Sequence, residues 1–242
     1  MSKILKKLGE LLYKKKYKRN EYIVRVLCFR FKKKNSNILF ENGNKVILHT
    51  ANGKVVNNPP KIKGLNVHFA GCNNVLEIFE PCTFINNNLI EMFGNSCHCV
   101  LKKCQLSEVN IKMEHSATCF IDERSTICGY IHLANERDLS LTIGKDCMFS
   151  GDAAIWATDG HIIRGASTNE IINRIKNGIE IGDHCWIGHG VTIIKNTKLA
   201  DNTIVGAKSL VSGNFGEPNT IIAGNPAKVL KKNVAWDRKP LD

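Results

Sequence analysis

The chain has 242 residues and a formal net charge of +12, with 43% hydrophobic and 23% charged residues. That composition is ordinary for a soluble globular protein and excludes a low-complexity or fibrous chain. There is no apolar run of about eighteen residues, and the charged N-terminus lacks the apolar core and cleavage site of a secretory signal. We therefore expect a cytoplasmic protein, peripheral at most to the inner membrane face.

Positive charge is concentrated at the N-terminus. Residues 1–34 hold 13 Lys or Arg against two acidic residues, which accounts for +11 of the +12. Ile4, Leu8 and Leu11 recur at helical spacing, so we predict a basic amphipathic helical leader over residues 1–37. Three roles stay open for it: a helix packed on the body, a membrane-surface helix, or a docking arm for an acidic polymer in capsule assembly. Without a base-reading motif, nucleic acid is not a predicted partner.

A six-residue period dominates the second half of the chain. Aliphatic residues occupy six consecutive positions of this period: Ile181, Ile187, Ile193, Leu199, Val205 and Val211. Compact or β-branched residues stand two places before them: Ile179, Cys185, Val191, Thr197, Thr203 and Ser209. A unit of this length is one short strand plus a bend, and three units close a triangular coil of about eighteen residues. We therefore predict an all-β parallel β-helix.

The strength of the period divides the chain into segments. The predicted boundaries are a β-helix domain over 38–232, with degenerate coils at 38–140, regular coils at 141–216 and a closing segment at 217–232, and then a tail at 233–242. The phase breaks after Ile155 and resumes at Ile179, which predicts a long loop near residues 157–178. Loops that leave a rigid scaffold commonly carry function.

The ten cysteines have no framework spacing, so we expect reduced thiols that serve mainly in packing. Cys97-His98-Cys99, with Cys104 nearby, could be read as part of a zinc site. A second ligand pair at finger or ribbon spacing is missing, however. We predict no metal.

A resemblance to a known family appears over residues 141–239. The stretches that carry it are Leu141-Thr142-Ile143-Gly144-Lys145-Asp146-Cys147-Met148, Thr158-Asp159-Gly160-His161, Trp186-Ile187-Gly188, Ala223-Gly224-Asn225-Pro226-Ala227-Lys228 and Val234-Ala235-Trp236. This region resembles the hexapeptide-repeat acyltransferases, especially the capsular polysaccharide O-acetyltransferases that act on sialic acid polymers. The resemblance implies a left-handed β-helix, a homotrimer with active sites between subunits, and acetyl-CoA as the acetyl donor. Left-handedness follows from the resemblance alone, because parallel crossovers are ordinarily right-handed.

His161 matches the catalytic histidine of that family. An imidazole titrates near neutrality, so it can remove a proton from a sugar hydroxyl as the oxygen attacks a thioester. Trp186 matches a tryptophan lining the same site, where its indole N–H could donate to the thioester oxygen and its ring could shelter the pantetheine arm. A tryptophan that only caps the coil surface is the alternative. Asp159 is a candidate for orienting His161, and equally a plain turn residue.

The resemblance also implies a coenzyme A-binding end at 217–232 and further contacts before it. The predicted cofactor-binding residues are Trp186, Gly188, His189, Gly206, Ala207, Ser212, Pro226, Lys228 and Lys231. Small residues let backbone amides approach the pantetheine chain, and the lysines could neutralise nucleotide phosphates. His189 and Gly213 depart from the residues usual at their positions, which leaves the details of cofactor contact open.

We therefore expect an acetyl-CoA-dependent O-acetyltransferase that acts on a sugar hydroxyl, with an anionic capsular or other surface polysaccharide as the expected acceptor. The alternatives are N-acetylation of a nucleotide amino sugar, acetylation of a small molecule, and a non-catalytic β-helix scaffold. His184 and His189, read as lying in consecutive coils, also resemble part of the zinc site of carbonic anhydrases with this fold. The third ligand position there is occupied by Met148, which argues against zinc.

Overall fold

A computed structural model of the chain describes residues 40–239. The predicted basic leader lies outside the described residues, as do positions 240–242 of the predicted tail. Between residues 40 and 239 all regular structure is β-strand, so this part of the chain contains no helix that could span a bilayer.

The strands wind into a prism with three faces, A, B and C, met in that order along each coil. Face A is a nine-stranded sheet: β1 (Lys45–His49), β2 (Val55–Asn57), β4 (Val75–Phe79), β7 (His98–Lys102), β9 (Thr118–Ile121), β11 (Ser140–Ile143), β14 (Ile179–Ile181), β17 (Lys198–Leu199) and β20 (Asn214–Phe215).

Faces B and C form one thirteen-stranded sheet that folds around a corner, because two long strands belong to both. Those two are β8 (Gln105–Met113) and β10 (Thr126–Leu133). The other strands of face B are β5 (Thr83–Ile85), β12 (Met148–Phe149), β15 (Trp186–Ile187), β18 (Ile204–Val205), β21 (Thr220–Gly224) and β22 (Ala227–Lys232). The other strands of face C are β3 (Leu65–Phe69), β6 (Asn88–Met92), β13 (Ala153–Trp156), β16 (Thr192–Ile194) and β19 (Leu210–Val211).

Successive coils pair in parallel and in register. Ile181 pairs with Leu199 on face A, Ile187 with Val205 on face B, and Ile193 with Val211 on face C. Each partner lies three six-residue units further along the chain. Two antiparallel pairs occur among the described strands, β2 with β1 and β22 with β21. They lie at the two ends of the prism. The parallel β-helix predicted from the repeat is therefore confirmed.

The interior holds the residues that the period selects. All six aliphatic positions of the period, and the six compact positions two places before them, are buried. Three of the compact positions carry hydroxyls, which donate to backbone carbonyls of the preceding bend: Thr197 to Ile194, Thr203 to Ala200 and Ser209 to Gly206. A buried hydroxyl costs little once it is hydrogen-bonded, so these polar residues are compatible with the core.

The bends between faces use the left-handed backbone region. A residue with positive φ recurs every six positions at the corners of the regular coils: His184, Gly190, Asn196, Asn202 and Lys208. Asparagine and glycine tolerate this conformation best. The repeat is therefore specified twice, by apolar residues that point inward and by turn residues at the corners.

A single long loop interrupts the regular coils. Strand β13 ends at Trp156 and β14 begins at Ile179, so the loop comprises residues 157–178, as predicted. Its middle folds back on itself, with an isolated bridge between Arg164 and Ile171. The loop leaves the prism at the corner between face C and face A.

Alternation along β7 separates the side chains that suggested a partial zinc site. Cys97 and Cys99 are buried in the interior, whereas His98 points outward and bonds Glu77 through Nε2 at 2.9 Å. The nine described cysteines are free thiols. Six of the nine are buried in the core, as expected for cysteines that serve mainly in packing.

Candidate active site

The loop that carries His161 begins with an ordered turn. Thr158 is buried, and its hydroxyl donates to Glu136 Oε1 at 2.8 Å while accepting from the Gly160 amide at 2.9 Å. This turn brings the chain out of face C and leaves the His161 side chain exposed. An exposed imidazole at a fixed place on a rigid scaffold is available to a substrate hydroxyl.

Asp159 anchors the loop and makes no hydrogen bond to the His161 imidazole. Its carboxylate forms an ion pair with Lys195 and accepts from Asn173 Nδ2 at 2.8 Å. The same Asn173 amide donates to the backbone carbonyl of His161 at 2.8 Å, and Lys195 donates to the Asn173 carbonyl at 2.9 Å. Asp159 therefore neither bonds the imidazole nor serves only in a local turn, because it anchors the loop to Lys195, and His161 is held through its backbone.

The Lys195 hydrogen bond lowers the pKa of the Asp159 carboxyl, outweighing the opposing effect of burial, and Asn173 adds to the lowering. A carboxyl with a lowered folded-state pKa stabilises the fold above its unfolded pKa of about 4, and this contribution is lost as pH falls through the folded value. The anchor is therefore intact at neutral pH and weakens only in acid.

We expect Lys195→Met to loosen the loop, because it leaves the Asp159 carboxylate without its cation. Misplacement of a catalytic group by about 1 Å costs up to about a hundredfold in rate, so kcat/KM should fall by about tenfold or more. Limited proteolysis within residues 157–178, alongside steady-state kinetics, checks this. Lys198→Met removes an exposed lysine of the next strand as a control and should leave both measurements unchanged. Normal kinetics in Lys195→Met would contradict the anchoring role.

Trp186 lies on face B, with 37% of its surface exposed. Its indole N–H points to Ser150 Oγ, but the distance of 3.5 Å makes this a weak hydrogen bond. Its ring also lies near that of Trp236, with centroids 5.8 Å apart. The N–H is thus held in place without a strong partner, and a better acceptor can replace Ser150.

The predicted tail folds back against the first corner of the prism, beside Trp186. The Trp236 ring stacks on His184 at 4.3 Å, and its N–H donates to the His184 carbonyl at 2.8 Å. The Asp146 carboxylate accepts hydrogen bonds from His184 Nδ1 at 2.8 Å and from Arg238 Nε at 3.0 Å. Burial acts to raise the pKa of Asp146, but the hydrogen bonds from His184 and Arg238 outweigh it and lower that pKa. Trp236 therefore forms a fixed wall beside Trp186.

Small residues stack at the corner between faces B and C. A Cβ added at Gly188 would lie 2.6 Å from the Val205 carbonyl oxygen, and one added at Gly206 would lie 2.8 Å from Cβ of Ala223. Neither position accommodates a side chain without a shift in the coils. Gly188 is buried, Gly206 is half-buried and Ala207 is exposed, so the surface of this corner beside Trp186 carries no large side chain from these three positions.

The closing hairpin places basic residues at the C-terminal end of face B. Strand β22 pairs with β21 and sets Lys228 opposite Ala223 and Lys231 opposite Ile221. Both lysines are exposed, as is Pro226 in the turn before them. Positive charge thus lies next to the small-residue corner, where it could meet a phosphate group.

His184 and His189 lie at two corners of one coil, not in consecutive coils as the sequence suggested. His184 bonds Asp146 and Trp236 at the first corner, whereas His189 is exposed at the second corner, with Nε2 3.5 Å from Asp152 Oδ2. Face B separates the two imidazoles. The two rings do not face one another. The placement of these histidines in consecutive coils, on which the resemblance to a carbonic anhydrase zinc site depended, is therefore wrong.

The predicted site residues therefore fall into two groups on the protomer. The face B half-site comprises Trp186, Gly188, His189, Gly206, Ala207, Pro226, Lys228 and Lys231. The loop half-site comprises His161 and Ser212, which follow strands of face C at the corner leading to face A. The fold gathers the first group on one face and its corner, but it places His161 at a different corner.

Several side chains of the site could not be predicted from the sequence. Lys195 and Asn173 hold the loop in place. Ser150 accepts the weak hydrogen bond of Trp186, and the Trp236 ring lies beside that of Trp186. The sequence analysis assigns none of these roles. The sequence holds no signal for the first three, because each is far along the chain from its partner. Trp236 belonged to a stretch that resembles the family, which could have drawn attention to it.

Comparison with known proteins gives a consistent result. The family described as "Bacterial transferase hexapeptide (six repeats)" matches residues 178–213. A polysialic acid O-acetyltransferase of Neisseria meningitidis is 32% identical over 190 residues, covering 70% of this chain and 88% of the relative. The crystal structure of the polySia-specific acetyltransferase NeuO is similar with a TM-score of 0.68 at 25% identity, over 81% of this chain and 86% of that one. The polysialic acid O-acetyltransferase OatWY gives 0.60 at 25% identity, over 82% and 92%.

The prism with its long loop has the fold of an acyltransferase built on a left-handed β-helix. The chain belongs to the hexapeptide-repeat acyltransferase family, and it is similar to polysialic acid O-acetyltransferases of that family. The fold and the family predicted from the sequence are thereby confirmed.

Proposed function

We propose that this enzyme transfers an acetyl group from acetyl-CoA to a hydroxyl group of a surface polysaccharide, with His161 as the general base. The observation that carries the proposal is the exposed imidazole on a loop anchored by Lys195, Asp159 and Asn173. Relatives that share most of the chain are named for O-acetylation of polysialic acid. The acceptor class is taken from them.

The chemistry is a direct transfer. The His161 imidazole takes the proton from the acceptor hydroxyl while that oxygen forms a bond to the thioester carbonyl carbon. The carbon–sulfur bond then breaks, and the imidazolium returns the proton to the thiolate that leaves. No acyl-enzyme is needed. The Trp186 N–H, which has only a weak partner in Ser150, can turn to the oxyanion that develops on the thioester.

The face B half-site fits a coenzyme A donor. Gly188 and Gly206 carry no side chain at one corner and Ala207 is exposed there, so an extended pantetheine chain could lie close to the backbone at this corner. Lys228 and Lys231 stand beyond it, in place to meet the nucleotide phosphates. Along face B the small residues come first and the lysines follow, in the same order as the pantetheine arm and the nucleotide phosphates of the donor.

We propose that a complete site needs two protomers. His161 and Ser212 lie at the third corner of the prism, whereas the face B half-site lies on another face and the second corner. A cyclic homotrimer would bring the loop half-site of one protomer to the face B half-site of its neighbour, three times around the ring. Both groups of predicted residues would then line one crevice.

The basic leader supports an anionic acceptor. With +11 in residues 1–34, it carries nearly all of the net charge, and such a segment raises the local concentration of a polyanion. The same charge would favour an anionic membrane surface or a capsule-assembly complex. The leader would act in recruitment, while the β-helix carries the chemistry.

Purified protein incubated with acetyl-CoA and a panel of acceptors tests the proposal. The panel holds sialic acid oligomers, neutral oligosaccharides and a nucleotide amino sugar, and release of free thiol is followed together with the mass of each acceptor. We expect acetylation of a saccharide, removed by mild base because it is an ester. A base-stable product would indicate N-acetylation. Thiol release without any acetylated acceptor would refute transfer to a saccharide.

A further inference from the structure

An aromatic cluster on face C has no part in the chemistry described above. Tyr130 and His132 project from β10, and Trp156 projects from β13 opposite His132 in the strand register. The ring centroids of His132 and Trp156 are 4.6 Å apart, and those of Tyr130 and Trp156 are 5.4 Å apart. Trp156 nevertheless keeps 40% of its surface exposed. The cluster therefore presents one large aromatic ring to solvent on a fixed support.

His132 is the support, and it is only 6% exposed. Its Nε2 accepts from the Asn135 side-chain amide at 3.1 Å, and its Nδ1 lies 2.9 Å from the Tyr130 hydroxyl oxygen. Burial lowers the pKa of His132, and the nearby Lys112 charge lowers it further, while Glu114 acts in the opposite direction. The imidazole is therefore neutral at neutral pH, with its hydrogen on Nδ1.

This tautomer determines what Tyr130 can do. The Nδ1–H of His132 donates to the Tyr130 oxygen, so the phenol keeps its own hydrogen for another partner. Tyr130 is half-buried, and no other hydrogen bond of its hydroxyl is found in the described part of the chain. The cluster thus combines an exposed aromatic face with a directed O–H donor.

That combination suits a sugar ring. One face of a pyranose bears C–H groups that pack on an aromatic surface, while its edge carries hydroxyls that need hydrogen-bond partners. Lys112 pairs with Glu114 at 3.6 Å, and Glu91 is a second carboxylate that acts on Tyr130, so the cluster has no excess of positive charge to attract an anionic group. The platform would therefore meet an uncharged face of the ring.

The cluster lies directly before the loop half-site. Trp156 is the last residue of β13, and the amide of the next residue, Ala157, donates to the His132 carbonyl at 3.1 Å. A Cβ added at Gly160 would lie 3.7 Å from the Asn135 amide nitrogen, so the turn before His161 lies beside the residue that holds His132. The predicted donor-binding residues belong to later coils, which leaves the N-terminal side of His161 to the acceptor.

We propose that Trp156 and Tyr130, held by His132, form the subsite that binds the acceptor sugar and presents its hydroxyl to His161. This inference rests on the proposed function, because it assumes a saccharide acceptor. Trp156 supplies the surface for stacking and Tyr130 a hydrogen bond to a ring substituent. His132 is a positioning residue that fixes both.

The test compares Trp156→Ala, Trp156→Tyr and Tyr130→Phe with the wild-type enzyme, using Val55→Ala as a control at an exposed apolar residue of face A. Loss of an aromatic contact worth about 1.4 kcal/mol corresponds to a tenfold change in affinity, so Trp156→Ala should raise the acceptor KM about tenfold. The KM for acetyl-CoA should stay within about twofold of wild type, since the donor is bound elsewhere. Trp156→Tyr should recover most of the loss, and Tyr130→Phe should show a smaller rise.

A binding measurement separates this proposal from the proposed function. Saturation-transfer NMR with a sialic acid oligomer, in a His161→Ala background, reports saccharide contact without turnover. If the wild type acetylates saccharides but Trp156→Ala keeps its acceptor KM and its NMR contact, the subsite is refuted. Dissociation of the oligomer in Trp156→Ala would assign the ring to a subunit interface and also overturn it. If the wild type acetylates no saccharide, the proposed function fails first.

Discussion

Replacing His161 with Ala is expected to lower kcat/KM by about 10²–10⁴-fold, the usual contribution of a positioned general base. In the proposed mechanism the imidazole takes the hydroxyl proton, and the side chain makes no hydrogen bond within the described residues that its removal would break. The loop should therefore keep its place. Acetyl transfer to a saccharide, measured by thiol release, checks the size of the loss.

Two further measurements make that result specific. The variant should elute as the same oligomer and bind coenzyme A with near-wild-type affinity, because the proposed donor contacts lie on face B. His115→Ala provides a matched control, since His115 is another exposed histidine at a turn and lies outside the proposed site. Turnover close to wild type in His161→Ala would exclude this residue as the base.

The second large effect is expected at Trp186. Trp186→Phe keeps an aromatic wall but removes the indole N–H, and loss of one donor to an oxyanion costs about 10²-fold or more in kcat. The KM for acetyl-CoA should change little, because the ring still covers the donor. Trp186→Ala removes both features and should raise that KM as well. Single-turnover kinetics with saturating acceptor would measure the chemical step directly.

A matched exchange at Trp236 shows whether the effect belongs to the N–H of Trp186. The Trp236 indole donates to the His184 carbonyl at 2.8 Å, so Trp236→Phe loses a contact of the tail. We expect its main effect on the melting temperature and only a small one on kcat. If Trp186→Phe keeps its full kcat, the tryptophan serves as a wall and the oxyanion has another donor.

The regular coils could be predicted almost completely from sequence. The interior of a β-helix selects an aliphatic residue at each coil position, and the period from Ile181 to Val211 carries that selection without a gap. The corner residues reinforce it, since Asn196 and Asn202 adopt the left-handed conformation that asparagine tolerates. The local preferences of these residues agree with the fold in every coil of this region, so the structure of such repeats can be predicted from sequence.

The first coils are less regular because longer strands replace the short ones. β8 and β10 each run around a corner, so one strand serves two faces and the six-residue phase is obscured. The interior of these coils also contains buried asparagines. The Asn74 side chain donates hydrogen bonds to Asn44 Oδ1 and the Gly94 carbonyl and accepts one from the Cys97 amide. Polar residues inside these coils weaken the apolar signal that the prediction depends on.

The sequence could name candidate site residues, which stay predictions, but it could not give their arrangement. His161 and Trp186 were found through short stretches that resemble a family. Their separation onto different corners depends on where a 22-residue loop leaves the prism, which only the coil register fixes. The role of Asp159 was also beyond the sequence, because its partner Lys195 lies 36 positions away.

The central claim is that each active site is shared between neighbouring protomers. Mixing subunits that carry His161→Ala with subunits that carry Trp186→Ala tests it most directly. Random assembly of equal amounts gives about three mixed trimers in four, each with one intact interface, so about a quarter of wild-type activity should return. Native mass spectrometry would confirm that mixed trimers form. If they form and activity stays at the level of the separate variants, the site lies within one protomer and the account is wrong.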